Sequence, residues 1–243
     1  RTCRFMLTEE AHHMFVGETG IRRVIQRTCE VMRELKTDDP AKLRARGVID
    51  LPTVQRYLNF HFAVTLDLFG AESSSNAATF FTAGLKGRFQ EEKLTDDHAL
   101  LGAEYPLLAV EAGRLVPRMA PAVNALNERL RDDYIRDTDA GMARWNKIVK
   151  SLGVDFAFRT PHKAFCRKIG AFAGLHVSPD GEVLSAEQWL GRARAFLPSD
   201  EDRAYVRSLM GRVVEPGKFA NWIAPPGKGI EGRPIDFEYV RFN

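Results

Sequence analysis

Glu10 and His13 stand one helical turn apart in the stretch LTEEAHHMFVGETGIRRVIQ. A carboxylate and an imidazole at that spacing share one face of an α-helix, and helical bundles hold iron with pairs of this kind. With roughly 100° per residue, Cys3, Met6, Leu7, His13, Met14, Gly17, Ile21, Val24 and Ile25 all fall within about 60° of Glu10. A carboxylate and an imidazole therefore sit in the middle of an apolar stripe. A carboxylate buried without a partner is costly, so the pattern points either to a metal ligand pair or to a buried Glu–His ion pair without metal. The overlapping pair Glu9 and His12 centres away from the stripe, which leaves Glu10 and His13 as the candidate ligands. Phe5, Phe15 and Val16 occupy the other sides, so the helix is apolar almost all round and is expected at the centre of a bundle. Gly17 and Gly20 carry no side chain and would let another helix approach closely.

The elements that must position this pair read as mainly helical. Residues 2–35 form one long helix, ended by Thr37-Asp38-Asp39-Pro40. Pro40 to Arg46 is a short helix closed by Gly47, and Pro52 to Phe69 a second long one ended by Gly70. A third runs from Ser74 to Lys93 and a fourth from Pro121 to Leu152, its face NERLRDDYIRDTD reading as a solvated or interhelical ion-pair surface. Between them Leu107–Val110 and Leu115–Val116 flank Glu111-Ala112-Gly113 as a small hairpin. The character changes after Gly153. Val154–Phe158 reads as a strand, HVSPDGEV as a turn between short strands, and Ser185-Ala186-Glu187-Gln188 as a capping box opening a helix. Ser199-Asp200-Glu201-Asp202 opens another helix to Met210. The tail from Glu215 is expected to wrap irregularly, anchored by Trp222, Phe237 and Tyr239. This divides the chain into a helical core over 1–152 and an irregular α+β extension over 153–243.

The 243 residues suffice for one large domain or two small ones, and 44% hydrophobic content supports a core. No apolar run reaches the roughly 18 residues of a membrane span, and no signal-peptide pattern opens the chain. Cys3, Cys29 and Cys166 are odd in number and lack metal-type spacing, so they read as reduced thiols of a cytoplasmic protein. The net charge of +3 is interspersed, with no basic stripe to meet nucleic acid. Arg22-Arg23 and Arg44 with Arg46 read as solvated cations before anion sites. The chain opens on Arg1 inside a helical pattern with no strong cap, as expected of a protein cut from a longer one.

Other motifs lack their context. Gly227-Lys228-Gly229-Ile230-Glu231-Gly232 fits the dinucleotide fingerprint but is bracketed by prolines, where a strand and a helix are needed. Gly211 to Lys218 is one residue too long for a phosphate loop. Asp96-Asp97-His98 reads as a solvated loop cluster, His61 as a hydrogen-bonded core histidine, and His162 has no evident partner.

Beyond these residues, several long segments resemble one family in order. They are LTEEAHHMFVGETGIRRVIQRTCEVM, DDPAKLRARGVIDLP, SSNAATFFTAGLKGRF, ALNERLRDDYIRD, HVSPDGEV, GKFANWIAPP and FEYVRFN. Together they are similar to the C-terminal half of the oxygenase component of benzoyl-CoA 2,3-epoxidases. The resemblance implies a ferritin-like di-iron bundle, here partial. Its ligands are a Glu, a first Glu-x-x-His, an Asp and a second Glu-x-x-His, and only the second maps onto this chain, at Glu10 and His13. The other ligands are expected upstream of Arg1, in the N-terminal half of the same protein. Two iron ions would then serve epoxidation of benzoyl-CoA by O2, with electrons from a separate NADPH-dependent reductase carrying FAD and iron–sulfur clusters. Met6 and Met14 are candidates for an apolar wall near the irons. Two rival readings share the residues: a ferritin-like ferroxidase, and a helical interaction module without enzymatic activity.

Overall fold

The structure is a computed structural model that describes residues 2–76, 79, 102–214 and 219–227, with the side chains of 2–4 left aside. It is mainly helical with a small β component. The described elements are α1 (Thr2–Leu35), α2 (Pro40–Ala45), α3 (Leu51–Asp67), β1 (Glu104–Glu111), β2 (Arg114–Pro121), α4 (Leu126–Ser151), β3 (His176–Val177), β4 (Val183–Leu184), α5 (Ala186–Phe196) and α6 (Asp200–Ser208). They fall into two compact units. The first comprises Arg1–Gln55, Gly141–Phe158 and Pro198–Asn243, the second Arg56–Ala140 and Arg159–Leu197. Among the described residues, no helix is long and apolar enough to cross a membrane.

In the first unit, the second half of α1 is buried. Val31 packs with Leu43 and Val48 in an apolar cluster closed by Met32 and Leu35. Thr28 Oγ1 donates to the Ile49 carbonyl at 2.8 Å, tying α1 to the chain entering α3. Pro40 begins α2 where its missing N–H costs nothing, and the Asp39 carboxylate accepts from Ala41 N–H at 2.9 Å. Arg44 then forms the centre of a buried polar knot. It donates to Asp50 at 2.9 Å, Thr53 at 2.8 Å and Asp202 at 2.5 Å, and its guanidinium lies 5.0 Å over the Tyr205 ring. Asp50 also accepts from Thr53 N–H and so caps α3, while Asp202 closes a capping box with Ser199 at the start of α6. Arg44 is therefore a structural cation that joins two helix starts, where the sequence placed it on a solvated face.

In the second unit, β1 and β2 pair antiparallel from Glu104 opposite Pro121 to Glu111 opposite Arg114. The two-residue turn has φ +47° at Ala112 and +74° at Gly113, the positive pair that a tight hairpin needs. Leu108, Val110 and Leu115 cover a cluster of Ala164, Phe172 and Val177. β3 and β4 form the short ribbon expected around HVSPDGEV. Ser185 and Gln188 close the capping box of α5.

Four expectations change. α4 begins at Leu126 rather than Pro121, because Pro121 ends the hairpin, where a residue without an N–H is tolerated, and residues 122–125 turn back onto its carbonyl. Val154–Phe158 is not a strand. The Asn146 side-chain amide meets both backbone groups of Phe158, accepting at 2.7 Å and donating at 2.9 Å, and so replaces a strand partner. His61 is exposed on α3, edge-on to Phe60 at 5.2 Å, rather than a core histidine. The first half of α1 is exposed rather than central in a bundle, as described below. Of the helix expected over 74–93, residues 75, 76 and 79 are helical, and the remainder falls outside the described residues. So do Asp96, Asp97, His98, Phe237 and Tyr239; Trp222 does anchor the tail, donating to the Leu209 carbonyl at 3.1 Å.

Gly170 offers a test of packing in this unit. Its φ is +86°, and a Cβ there would run into the Glu72 carboxylate. Gly174, at φ +85°, has open space around it. Gly170→Ala is expected to lose about 2–3 kcal/mol in urea unfolding against about 1 kcal/mol for Gly174→Ala. Equal losses would mean that the Glu72 carboxylate yields freely.

Candidate metal centre

Glu10 and His13 lie on consecutive turns of α1, their carboxylate oxygen and Nδ1 3.7 Å apart. That is too long for a hydrogen bond, so neither donor atom is committed to the other. Both side chains are more than three-fifths exposed. Their surroundings are apolar: Met6, Leu7, Met14 and Ile21 lie on the same stripe and are exposed, as are Phe5, Phe15 and Val16 on the other sides. Among the described residues, Met6 and Met14 thus line no cavity. The burial anticipated for Glu10 is absent because no described element of the first unit packs over residues 5–17.

The phase of the helix gives the exposure its meaning. Ile25, Thr28 and Val31 are fully buried, and on the α1 wheel they fall within about 60° of Glu10. One continuous stripe is therefore covered over the second half of α1 and uncovered over the half that carries the candidate ligands. A hard carboxylate and a neutral imidazole fit an iron ion as donor types. They are two ligands and not a complete set. Among the described residues, no group of three or more His, Cys, Asp and Glu side chains is placed to hold a metal ion.

The remaining sequence candidates resolve as structural groups. His12 and Glu9 are exposed on α1. His162 is half-buried, its Nδ1 accepts from Ala164 N–H at 3.2 Å, and burial followed by the neighbouring Lys163 charge lowers its pKa. Cys29 and Cys166 are free thiols that burial pushes up to about 11, which favours the protonated thiol near neutrality. Arg23 donates to the Ala224 carbonyl at 2.6 Å, and Arg46 pairs with Glu34 at 3.4 Å.

The second unit holds a charge cluster that the sequence reading missed. Glu72, Glu128, Arg131 and Arg167 are buried together. Arg131 pairs with Glu128, lies 3.6 Å from Glu72, and donates to the Leu66 and Gly70 carbonyls. Arg167 reaches Asp67 at 2.6 Å and Glu72 at 3.1 Å. Lys163 bridges Glu128 at 2.6 Å and Asp132 at 3.0 Å; burial pulls its pKa down, but the two carboxylates outweigh this and hold it raised. Tyr105 donates to Asp132 at 2.9 Å, and burial together with that bond pushes its hydroxyl to about 12. Cations interleave every carboxylate, so the cluster is built for cohesion and not for a metal.

Compared with known proteins, the chain is 64% identical over all 243 residues to benzoyl-CoA oxygenase component B of Aromatoleum evansii. The chain is homologous to that protein along its whole length. It spans about half (51%) of the relative's own length. No protein-family model matches it. The resemblance read from separate segments of sequence is thus matched by a similarity that covers the whole of the chain.

Proposed function

We propose that this chain is one half of the oxygenase component of a benzoyl-CoA 2,3-epoxidase, contributing one Glu-x-x-His pair to a di-iron centre in a ferritin-like bundle. The observation that carries this reading is the 64% identity over the entire chain to benzoyl-CoA oxygenase component B. The uncovered stripe on α1 supports it independently, because an apolar helix face with a carboxylate and an imidazole at its middle is what a ligand helix offers to its neighbours in a bundle. Those neighbours, and the remaining ligands, belong to the half of such a protein that this chain does not contain.

Glu10 and His13 would hold one of two iron ions, which would supply the redox chemistry for adding one atom of O2 across the 2,3 bond of benzoyl-CoA while two electrons from a reductase and two protons take the other atom to water. His13 offers a neutral nitrogen and Glu10 an anionic oxygen on the same face, so together they add one negative charge to the site. Met6, Leu7 and Met14 surround them with apolar surface. Once covered, that surface keeps water from the reacting centre and suits an aromatic ring. Electrons come from a separate NADPH-dependent reductase with flavin and iron–sulfur clusters.

The deciding experiment uses the full-length protein with a reductase of that class. It is expected to bind iron and to consume O2 in step with oxidation of benzoyl-CoA. Iron mineralisation without thioester oxidation would place it among ferroxidases. An iron-free protein whose stability ignores added Fe(II) would make it a helical interaction module.

A further inference from the structure

α1 changes character at Glu18. The side chains of residues 5–17 are exposed, those of 18–20 are half-covered, and Ile25, Thr28, Cys29 and Val31 are fully buried. At this boundary the Arg144 guanidinium of α4 grips the Glu18 carboxylate with two parallel bonds, from Nε at 2.6 Å and from a terminal nitrogen at 2.9 Å. The bond from Arg144 lowers the Glu18 pKa, and Arg22 adds to it. One turn further on, the tail segment takes over. Arg23 Nε donates to the Ala224 carbonyl, Ala224 N–H returns a bond to the Arg23 carbonyl at 3.1 Å, and Arg27 donates to the Asn221 carbonyl at 3.2 Å.

An exposed ion pair of this kind adds little to stability, but a two-pronged guanidinium–carboxylate contact fixes orientation. Its position gives it leverage. Glu18 lies eight residues, about 12 Å, along the axis from Glu10. A tilt of about 5° pivoting there displaces the Glu10 turn by about 1 Å, several times the roughly 0.2 Å tolerance of metal–ligand distances. Glu18 is also about 80° from Glu10 around the helix, on the flank of the stripe, so the grip leaves the ligand face clear.

We propose that the Glu18–Arg144 pair is a positioning device that sets the direction of the α1 turn bearing Glu10 and His13, and so the geometry of the iron they hold. This rests on the assignment of Glu10 and His13 as ligands, and the experiment separates the two. In the full-length protein, Glu18→Gln, Arg144→Met and the exchange Glu18→Arg/Arg144→Glu are compared with His13→Ala by iron affinity, Mössbauer spectrum and Tm. The single variants are expected to weaken one iron about tenfold and to alter its quadrupole doublet while Tm holds, and the exchange to restore most of both. Unchanged iron affinity and spectrum in the single variants, with one iron lost from His13→Ala, would overturn the positioning role alone. Iron loss that tracks a falling Tm would also overturn it. Retention of both irons by His13→Ala would overturn the ligand assignment, and the positioning role with it.

Discussion

His13→Ala in the full-length protein is expected to empty one iron position and to lower epoxidation by more than about 100-fold, since partners that merely orient a metal ligand already cost 10–100-fold when removed. Glu10→Ala is expected to do the same. His12→Ala is the matched control. It changes the same residue type one position earlier on the same helix, but away from the stripe that continues into Ile25, Thr28 and Val31. Its effect is expected to stay within about threefold, because nothing in the apolar stripe depends on it. Iron counting and single-turnover product analysis read both. The reverse pattern, with iron lost from His12→Ala and kept by His13→Ala, would mean that Glu9 and His12 are the ligands, and equal losses would mean that neither histidine is singled out by the stripe.

The second large effect concerns stability. Arg131→Met is expected to cost about 3–5 kcal/mol in urea unfolding, the usual penalty for removing one partner of a buried ion pair. Arg131 is fully buried, so its loss leaves the buried Glu128 with Lys163 as its remaining cation and weakens the surroundings of Glu72. The double variant Glu128→Met/Arg131→Met is expected to recover about 1–3 kcal/mol of that loss. It leaves two closed pairs, Lys163 with Asp132 and Arg167 with Glu72. A loss under about 1 kcal/mol for the single variant would show that Lys163 alone satisfies the Glu128 carboxylate and that Arg131 is dispensable to the cluster.

These cases mark what the sequence could and could not disclose. Local signals were legible because their partners are close in the chain. Asp39, Ser185 and Ser199 cap the helices that follow them, and Ala112-Gly113 turns the hairpin. The phase of Glu10 and His13 was legible for the same reason, since it depends only on helical geometry. The charge cluster was not. Glu128 and Arg131 sit in a run that reads as a solvated face, and the groups that bury them, Glu72, Lys163 and Arg167, lie tens of residues away in both directions. Val154–Phe158 misled in the opposite sense. Its apolar spacing mimics a strand, while Asn146 supplies the hydrogen bonds that a neighbouring strand would have given. The exposure of Phe5 to Gly17 could not be foreseen from pattern, because a wheel gives the side a helix buries but not whether the burying surface is in the same chain.

That exposed stretch has a consequence for how such a protein matures. The thirteen exposed residues 5–17 sit at the length where an isolated helix is only marginally formed in water. The second half of α1, locked by Thr28 and the cluster of Val31, Leu43 and Val48, can template the helix but cannot hold its far end. The Glu18–Arg144 pair aims this stretch at its base, and whatever covers its apolar stripe supplies the rest of its order. On the ligand assignment proposed above, covering of that turn and acquisition of iron would be coupled, because Glu10 and His13 by themselves are two ligands and not a complete set.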